Sequence, residues 1–235
     1  MSKNLKLYCA WYCPFAQRVS ISLKEKEVEY EYIETDPENK TPEFLAVSPR
    51  GLVPSMVHNG KPVYESGVCV EYIDEVWKKE YSILPEDAYD RAMSRIWVDY
   101  VSKKIVPLFY TVLQKQVKAE QEAAKEILLK NLETLTQAMS KKGPYFNGEQ
   151  FGYVDIMMVP FLIRFRLLTH YRGFEIPTTG VFTRLQKWME AAFARDSVKS
   201  SLPEWDPLVK FYKSYADNTA TSEVSTSINS GGAIP

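Results

Sequence analysis

Two histidines, His58 and His170, and three cysteines, Cys9, Cys13 and Cys69, are all the soft ligands in 235 residues. None falls at a ligand spacing, so no metal site is expected. An odd, small set of cysteines also argues against a disulfide scaffold and for a reducing, cytoplasmic setting. No apolar run approaches the ~20 residues of a membrane-spanning helix, and "MSKNLKLYCAWYC" lacks the apolar core of a signal peptide. Net charge is −1, so neither nucleic acid nor an anionic membrane is an expected partner.

What is present divides in two. The first 80 residues alternate strand and helix signals. "LKLYC" carries Leu5, Leu7 and Cys9 at period two, as a half-buried strand does. From Pro14 the period becomes helical through Ala16, Val19 and Leu23, and proline suits a first helical position. "VEYEYIE" alternates again, a short helix fits Pro42 to Val47, and Asn59-Gly60 joins two short strands as a hairpin. Ser66 then caps a helix with Val70, Ile73 and Trp77 on one stripe. This order predicts an α/β domain with one mixed sheet over residues 1–80, followed by a linker at 81–87. Residues 88–214 read as all helix, the first one bent at Pro107. The small polar residues of 215–235 predict a poorly ordered tail.

The chemistry concentrates at "YCPFA". Cys13 falls where a strand hands over to a helix, facing unpaired N–H groups and the positive end of the helix dipole. Helix N-termini lower a cysteine pKa from ~8.5 to ~3.5–7.5, which makes thiolate abundant at neutral pH. The competing reading is a packed core cysteine, which suits Cys9 and Cys69 better. Residue 16 is alanine where a dithiol oxidoreductase has its second cysteine. A disulfide made at Cys13 therefore needs an outside thiol to resolve it, and the chain a pocket for that thiol.

Two features suit such a pocket. Pro54 opens a strand, and a cis Val53–Pro54 bond would turn the Val53 backbone toward an extended ligand. Glu65 and Ser66 stand at a helix N-terminus, able to hold an ammonium and a carboxylate, the α-amino-acid end of a peptide such as glutathione. Plain capping by Ser66, with Glu65 solvated, is the other reading.

"YCPFAQRV", "RGLVPSMV", "YESGVCVEYIDE" and the helical second half together resemble cytosolic glutathione transferases, in particular the omega class with its C-P-F-A motif. The resemblance spans residues 4 to 213. It implies a thioredoxin-like N-terminal domain, an all-α C-terminal domain and a homodimer. It further implies that Cys13 forms a mixed disulfide with glutathione, the co-substrate. Phe15, Lys40, Val53, Glu65 and Ser66 would hold the tripeptide, and Phe161, Arg164 and Trp205 would line an open acceptor pocket. The expected activity is thiol transfer: deglutathionylation, or reduction of dehydroascorbate. Gly152 stands where the family's capping box has Ser or Thr, and Asp155 keeps the other half of that box. A conjugating transferase assisted by Tyr8 or Tyr12 is an alternative, as are a chloride-intracellular-channel-like protein and a non-catalytic scaffold. "YES" counts against the channel-like reading.

Overall fold

The computed structural model describes residues 4–79 and 81–234. In chain order the elements are β1 (Leu5–Cys9), α1 (Pro14–Glu25), β2 (Glu31–Glu34), α2 (Pro42–Val47), β3 (Ser55–His58), β4 (Lys61–Tyr64), α3 (Ser66–Val76) and α4 (Ala88–Tyr100). There follow a π turn (Val101–Ile105), α5 (Val106–Gln114), α6 (Lys118–Ala138), α7 (Tyr153–Arg172), α8 (Phe182–Phe193), α9 (Asp196–Lys199), α10 (Trp205–Ala216) and α11 (Glu223–Asn229). The chain forms two compact units, Met1–Arg91 with Ala194–Pro203, and Ala92–Phe193 with Glu204–Pro235.

In the first unit the four strands lie in the order β2-β1-β3-β4. β1 runs parallel to β2 and antiparallel to β3, with Leu7 opposite Tyr32 on one side and Met56 on the other. β3 and β4 form the expected hairpin. Asn59 and Gly60 turn it with φ of 51° and 76°, the left-handed pair that matches the twist of the strands. Leu5, Leu7 and Cys9 face inward, and Ala16, Val19, Leu23, Cys69 and Ile73 of α1 and α3 close over them.

Two polar ties complete this unit. Lys26 and Asp74 form an ion pair at 2.6 Å, with side chains 1% and 8% exposed. Asp74 also accepts the amides of Ile83 (2.8 Å) and Leu84 (2.9 Å), and Lys26 donates to the Tyr81 carbonyl at 2.7 Å. Burial alone would raise the Asp74 carboxyl, but the lysine and the two amides outweigh it and hold it below its ordinary value. The second tie brings in the distant segment. Glu25 accepts Arg195 Nε at 2.7 Å and Nη2 at 2.6 Å, and the Ser197 hydroxyl.

The second unit is helical. The break expected at Pro107 takes the form of the π turn immediately before it. Proline lacks an amide for the preceding turn and its ring crowds the carbonyl four residues back; a wider i→i+5 turn relieves both. α7 is apolar nearly all round and buried over most of its length. At its start Asp155 accepts the amides of Gly152 (2.7 Å) and Phe146 (2.9 Å) and the indole N–H of Trp188.

The tail departs from expectation. It carries α11, whose cap Ser222 accepts the Ser225 amide at 3.1 Å and bonds the Tyr215 hydroxyl at 2.7 Å. α11 packs on α5 and buries Ser225. A good cap and a neighbour to cover outweigh a composition that reads as disorder. Among the described residues no helix is long and apolar enough to cross a membrane.

Candidate active site

Cys13 is the residue that begins α1. Its backbone is extended (φ −79°, ψ 120°), Pro14 follows in the first turn, and that turn holds no acidic residue. The positive end of the helix is thus left unneutralised by α1 itself. A tight turn sets the approach: the Cys13 amide donates to the Ala10 carbonyl at 2.9 Å, and its carbonyl accepts the Gln17 amide at 3.1 Å. The sulfur is directed at the backbone of Val53, with Sγ 3.7 Å from the Val53 carbonyl oxygen. The Val53–Pro54 peptide bond is cis.

The other two thiols belong to the core. Burial, and after it the neighbouring Cys13, push the Cys9 thiol up to about 12. Burial, and after it Glu65, do the same to Cys69, also to about 12. Both are protonated at neutral pH and inert as nucleophiles.

Two groups of side chains meet at the start of α3, one at Ser66 and one at Glu65. In the first, the Arg18 guanidinium lies 4.9 Å from the centre of the Phe15 ring and donates to Ser66 Oγ at 3.1 Å. Arg18 is 2% exposed, a buried cation on a helix that also buries Gln17, Ser20 and Ser22. Because Ser66 Oγ accepts from Arg18, its own proton is directed elsewhere, as a donor. In the second, Arg50 Nη1 donates to Glu65 Oε1 at 2.8 Å, and Lys40 Nζ donates to the Arg50 carbonyl at 3.1 Å. Glu65 holds φ at 69°. For a residue with a side chain, that conformation costs roughly 1–3 kcal/mol and concentrates at functional sites.

Thus Cys13, Phe15, Lys40, Val53, Glu65 and Ser66, picked from separate stretches of sequence, sit in one unit: Arg18 ties Phe15 to Ser66, Arg50 ties Lys40 to Glu65, and the Cys13 sulfur meets the Val53 carbonyl. Neither arginine was foreseen. Arg18 had a signal, a charge on the buried stripe of α1; Arg50 had none, since its partner lies 15 residues away. Tyr8 stacks on Phe44, and Tyr12 meets Trp11 edge-on.

The expected acceptor pocket is a correction. Phe161 and Arg164 are both 0% exposed. Phe161 packs edge-on against Phe109 and Tyr110, and Arg164 Nη1 bonds the Pro160 carbonyl at 2.9 Å. They form the middle of the helical unit and offer no surface to a ligand. Trp205 is only half-buried, under the Arg166 guanidinium at 4.3 Å and edge-on to His170.

The sequence pattern described as glutathione S-transferase, N-terminal domain, matches residues 12–76, and that of the glutathione S-transferase C-terminal domain matches residues 118–191. A probable glutathione S-transferase, parC, from Nicotiana tabacum is 40% identical over 86% of this chain and 91% of its own length. The chain belongs to the glutathione S-transferase family. Family membership makes it a transferase with glutathione as co-substrate. Among solved structures, glutathione transferase Omega 3C from Trametes versicolor matches at 35% identity and a TM-score of 0.84, covering 94% of each chain. The Tau class transferase MiGSTU from mango matches at 34% and 0.84, covering 91% of this chain and 99% of its own. Both classes are thus equally near by structure, and the omega class expected from "CPFA" is not singled out.

Proposed function

We propose that this transferase works as a glutathione-dependent thiol transferase through Cys13. One observation carries the reading: the residue at the start of α1, aimed at the Val53 backbone, is a sulfur rather than a hydroxyl. The Cys13 thiolate attacks the glutathionyl sulfur of a mixed disulfide. The Cys13–glutathione bond forms, the acceptor's S–S bond breaks, and the departing thiolate takes up a proton. A second glutathione thiolate then attacks that adduct, freeing Cys13 and releasing glutathione disulfide. Cys9 and Cys69 stay protonated and do not compete. Phe15, Lys40 and Val53 hold the glycine and cysteinyl parts of the tripeptide. Glu65 and Ser66 take the γ-glutamyl end, turning a collision into a positioned exchange. Glutathionylated thiols react by this route. With dehydroascorbate the Cys13 thiolate adds to a carbonyl carbon, a glutathione thiolate attacks the Cys13 sulfur and expels ascorbate, and a second glutathione releases glutathione disulfide, so two glutathiones supply the two electrons.

A second reading, conjugation of glutathione to electrophiles, is favoured by the similarity to a Tau class enzyme. One experiment separates the two. Wild type and Cys13→Ser are incubated with glutathione disulfide, weighed intact, and assayed for hydroxyethyl disulfide reduction and aryl halide conjugation. Thiol transfer predicts one glutathione added to wild type and none to the variant, which also loses reductase activity. A variant that still reduces the disulfide at the wild-type rate would overturn the mechanism. A wild type that takes up no glutathione yet conjugates aryl halides would favour the second reading. The homodimer that the resemblance implies is checked by light scattering.

A further inference from the structure

Arg50 is a charged side chain bonded to Glu65 that the proposed reaction does not yet use. We propose that Arg50 is a specificity-determining residue. Its guanidinium stays on Glu65 and also takes the α-carboxylate of the ligand's γ-glutamyl end, so that Arg50 and Glu65 together read a zwitterion. The inference rests on the reading that Glu65 and Ser66 hold that end.

The position is built rather than incidental. Gly51 has φ of 65°, and a Cβ there would lie 2.6 Å from Lys40 Cδ, so the lysine stem lies directly across the glycine. Its ammonium holds the Arg50 carbonyl at 3.1 Å. Ser48 Oγ accepts the Leu52 amide at 3.1 Å and donates to the Leu52 carbonyl at 2.8 Å. The loop carrying Arg50 is therefore tied at both ends. The ion pair itself is no stability device. Both side chains are 47% exposed, and pairs this open to solvent add little to stability.

Its geometry suits a ligand better. Arg50 spends Nη1 on Glu65 Oε1. A guanidinium has five donors and a carboxylate about four acceptor sites, so both partners keep capacity. An ammonium arriving at Glu65 would repel Arg50 if it came alone. In an α-amino acid it comes with a carboxylate one carbon away. The four charges then alternate: Arg50, Glu65, ligand ammonium, ligand carboxylate. The last closes back on Arg50. The Ser66 hydroxyl, its oxygen engaged by Arg18, points its proton to the same carboxylate. A charge-assisted hydrogen bond of this kind is worth about tenfold or more in affinity.

The test uses S-methylglutathione, which cannot exchange with Cys13, and the same compound with its γ-glutamyl carboxylate amidated. Binding is measured by calorimetry for wild type, Arg50→Gln, Arg50→Lys and Glu65→Gln. Arg50→Gln should weaken S-methylglutathione about tenfold and lose most of the wild-type preference for carboxylate over amide, with Arg50→Lys intermediate. Unchanged affinity in Arg50→Gln would reduce Arg50 to a surface ion pair. Tighter binding would mean that it competes with the ammonium, and either result overturns the proposal. Glu65→Gln keeps the two levels apart. If it too binds like wild type, the underlying site reading fails. If it weakens binding while Arg50→Gln does not, only the role of Arg50 fails.

Discussion

Asp74 in the first unit and Asp155 in the second solve one problem in two ways. Each is a buried carboxylate on a helix that gathers backbone amides from a nearby loop. Asp74 sits near the C-terminal end of α3, where the helix dipole opposes an anion. It has Lys26 at 2.6 Å. Asp155 sits in the first turn of α7, where the dipole favours it, and its direct donors are two amides and an indole N–H. The titrations part accordingly. Asp74 is held below its ordinary value, while burial pushes Asp155 up to about 6 in spite of its three donors. Arg184 feels the Asp155 charge but spends its donors on the carbonyls of Ser140 and Tyr145, so Asp155 has a cation nearby and, among the described residues, none in contact. Hydrogen-bond dipoles with a cation held off settle a buried anion less fully than a counter-charge in contact does.

The largest test of this contrast removes the counter-charge. Lys26→Met leaves Asp74 buried and unpaired, and should cost about 3–5 kcal/mol in urea unfolding. Adding Asp74→Leu should restore only part, because the Ile83 and Leu84 amides lose their acceptor with it. A smaller change is Asp155→Asn, which keeps the shape but turns an NH₂ toward N–H donors. About 1–3 kcal/mol should be lost. Equal losses in Lys26→Met and Asp155→Asn would erase the distinction between counter-charge and dipole.

The smallest effect is a drift with pH, and its sign is opposite at the two sites. Asp155 has a folded pKa of about 6, above its ordinary 3.8, so the native state holds the extra proton between those values. Its contribution is fully present below that window and fades as pH rises through it, by at most about 1.4 kcal/mol per pH unit. Asp74 is depressed, so its contribution is present above the ordinary 3.8 and fades as pH falls through its folded value. The deficit of Asp155→Asn should therefore grow from pH 6 to pH 4. That of Lys26→Met should shrink, because its stranded carboxylate can neutralise. Unfolding series at several pH values read both, and parallel trends would break the comparison.

What could be read from residues alone follows the length scale of the forces involved. Pro14 after Cys13 and Asn59-Gly60 act on their immediate neighbours, so β1–α1 and the hairpin were visible beforehand. So were the half-capped start of α7 and the inward-facing Cys9 and Cys69. Ser66, expected as the cap of α3, is instead its first residue and makes no side-chain cap, its oxygen being held by Arg18. Arg18 with Ser66 and Glu25 with Arg195 join residues 48 and 170 apart, and no local signal announces such partners. α7 misled in another way. The resemblance put Phe161 and Arg164 in the pocket, and a helix apolar nearly all round has no outward stripe that argues otherwise, yet both are buried in the core. For the tail, a polar composition concealed the fact that α5 offered it a surface to cover.

The return of Ala194–Pro203 to the first unit bears on how this chain is made. Glu25 is committed early in synthesis, yet Arg195 and Ser197, which neutralise it, emerge some 170 residues later. A gene cut after residue 91 would encode Cys13, Phe15, Lys40, Val53, Glu65 and Ser66 and still release a fragment whose α1 carries a largely buried carboxylate with its cation missing. The thiol-bearing half of the molecule is contiguous in its chemistry but not in its message, and it is finished only when the ribosome has nearly reached the last helices.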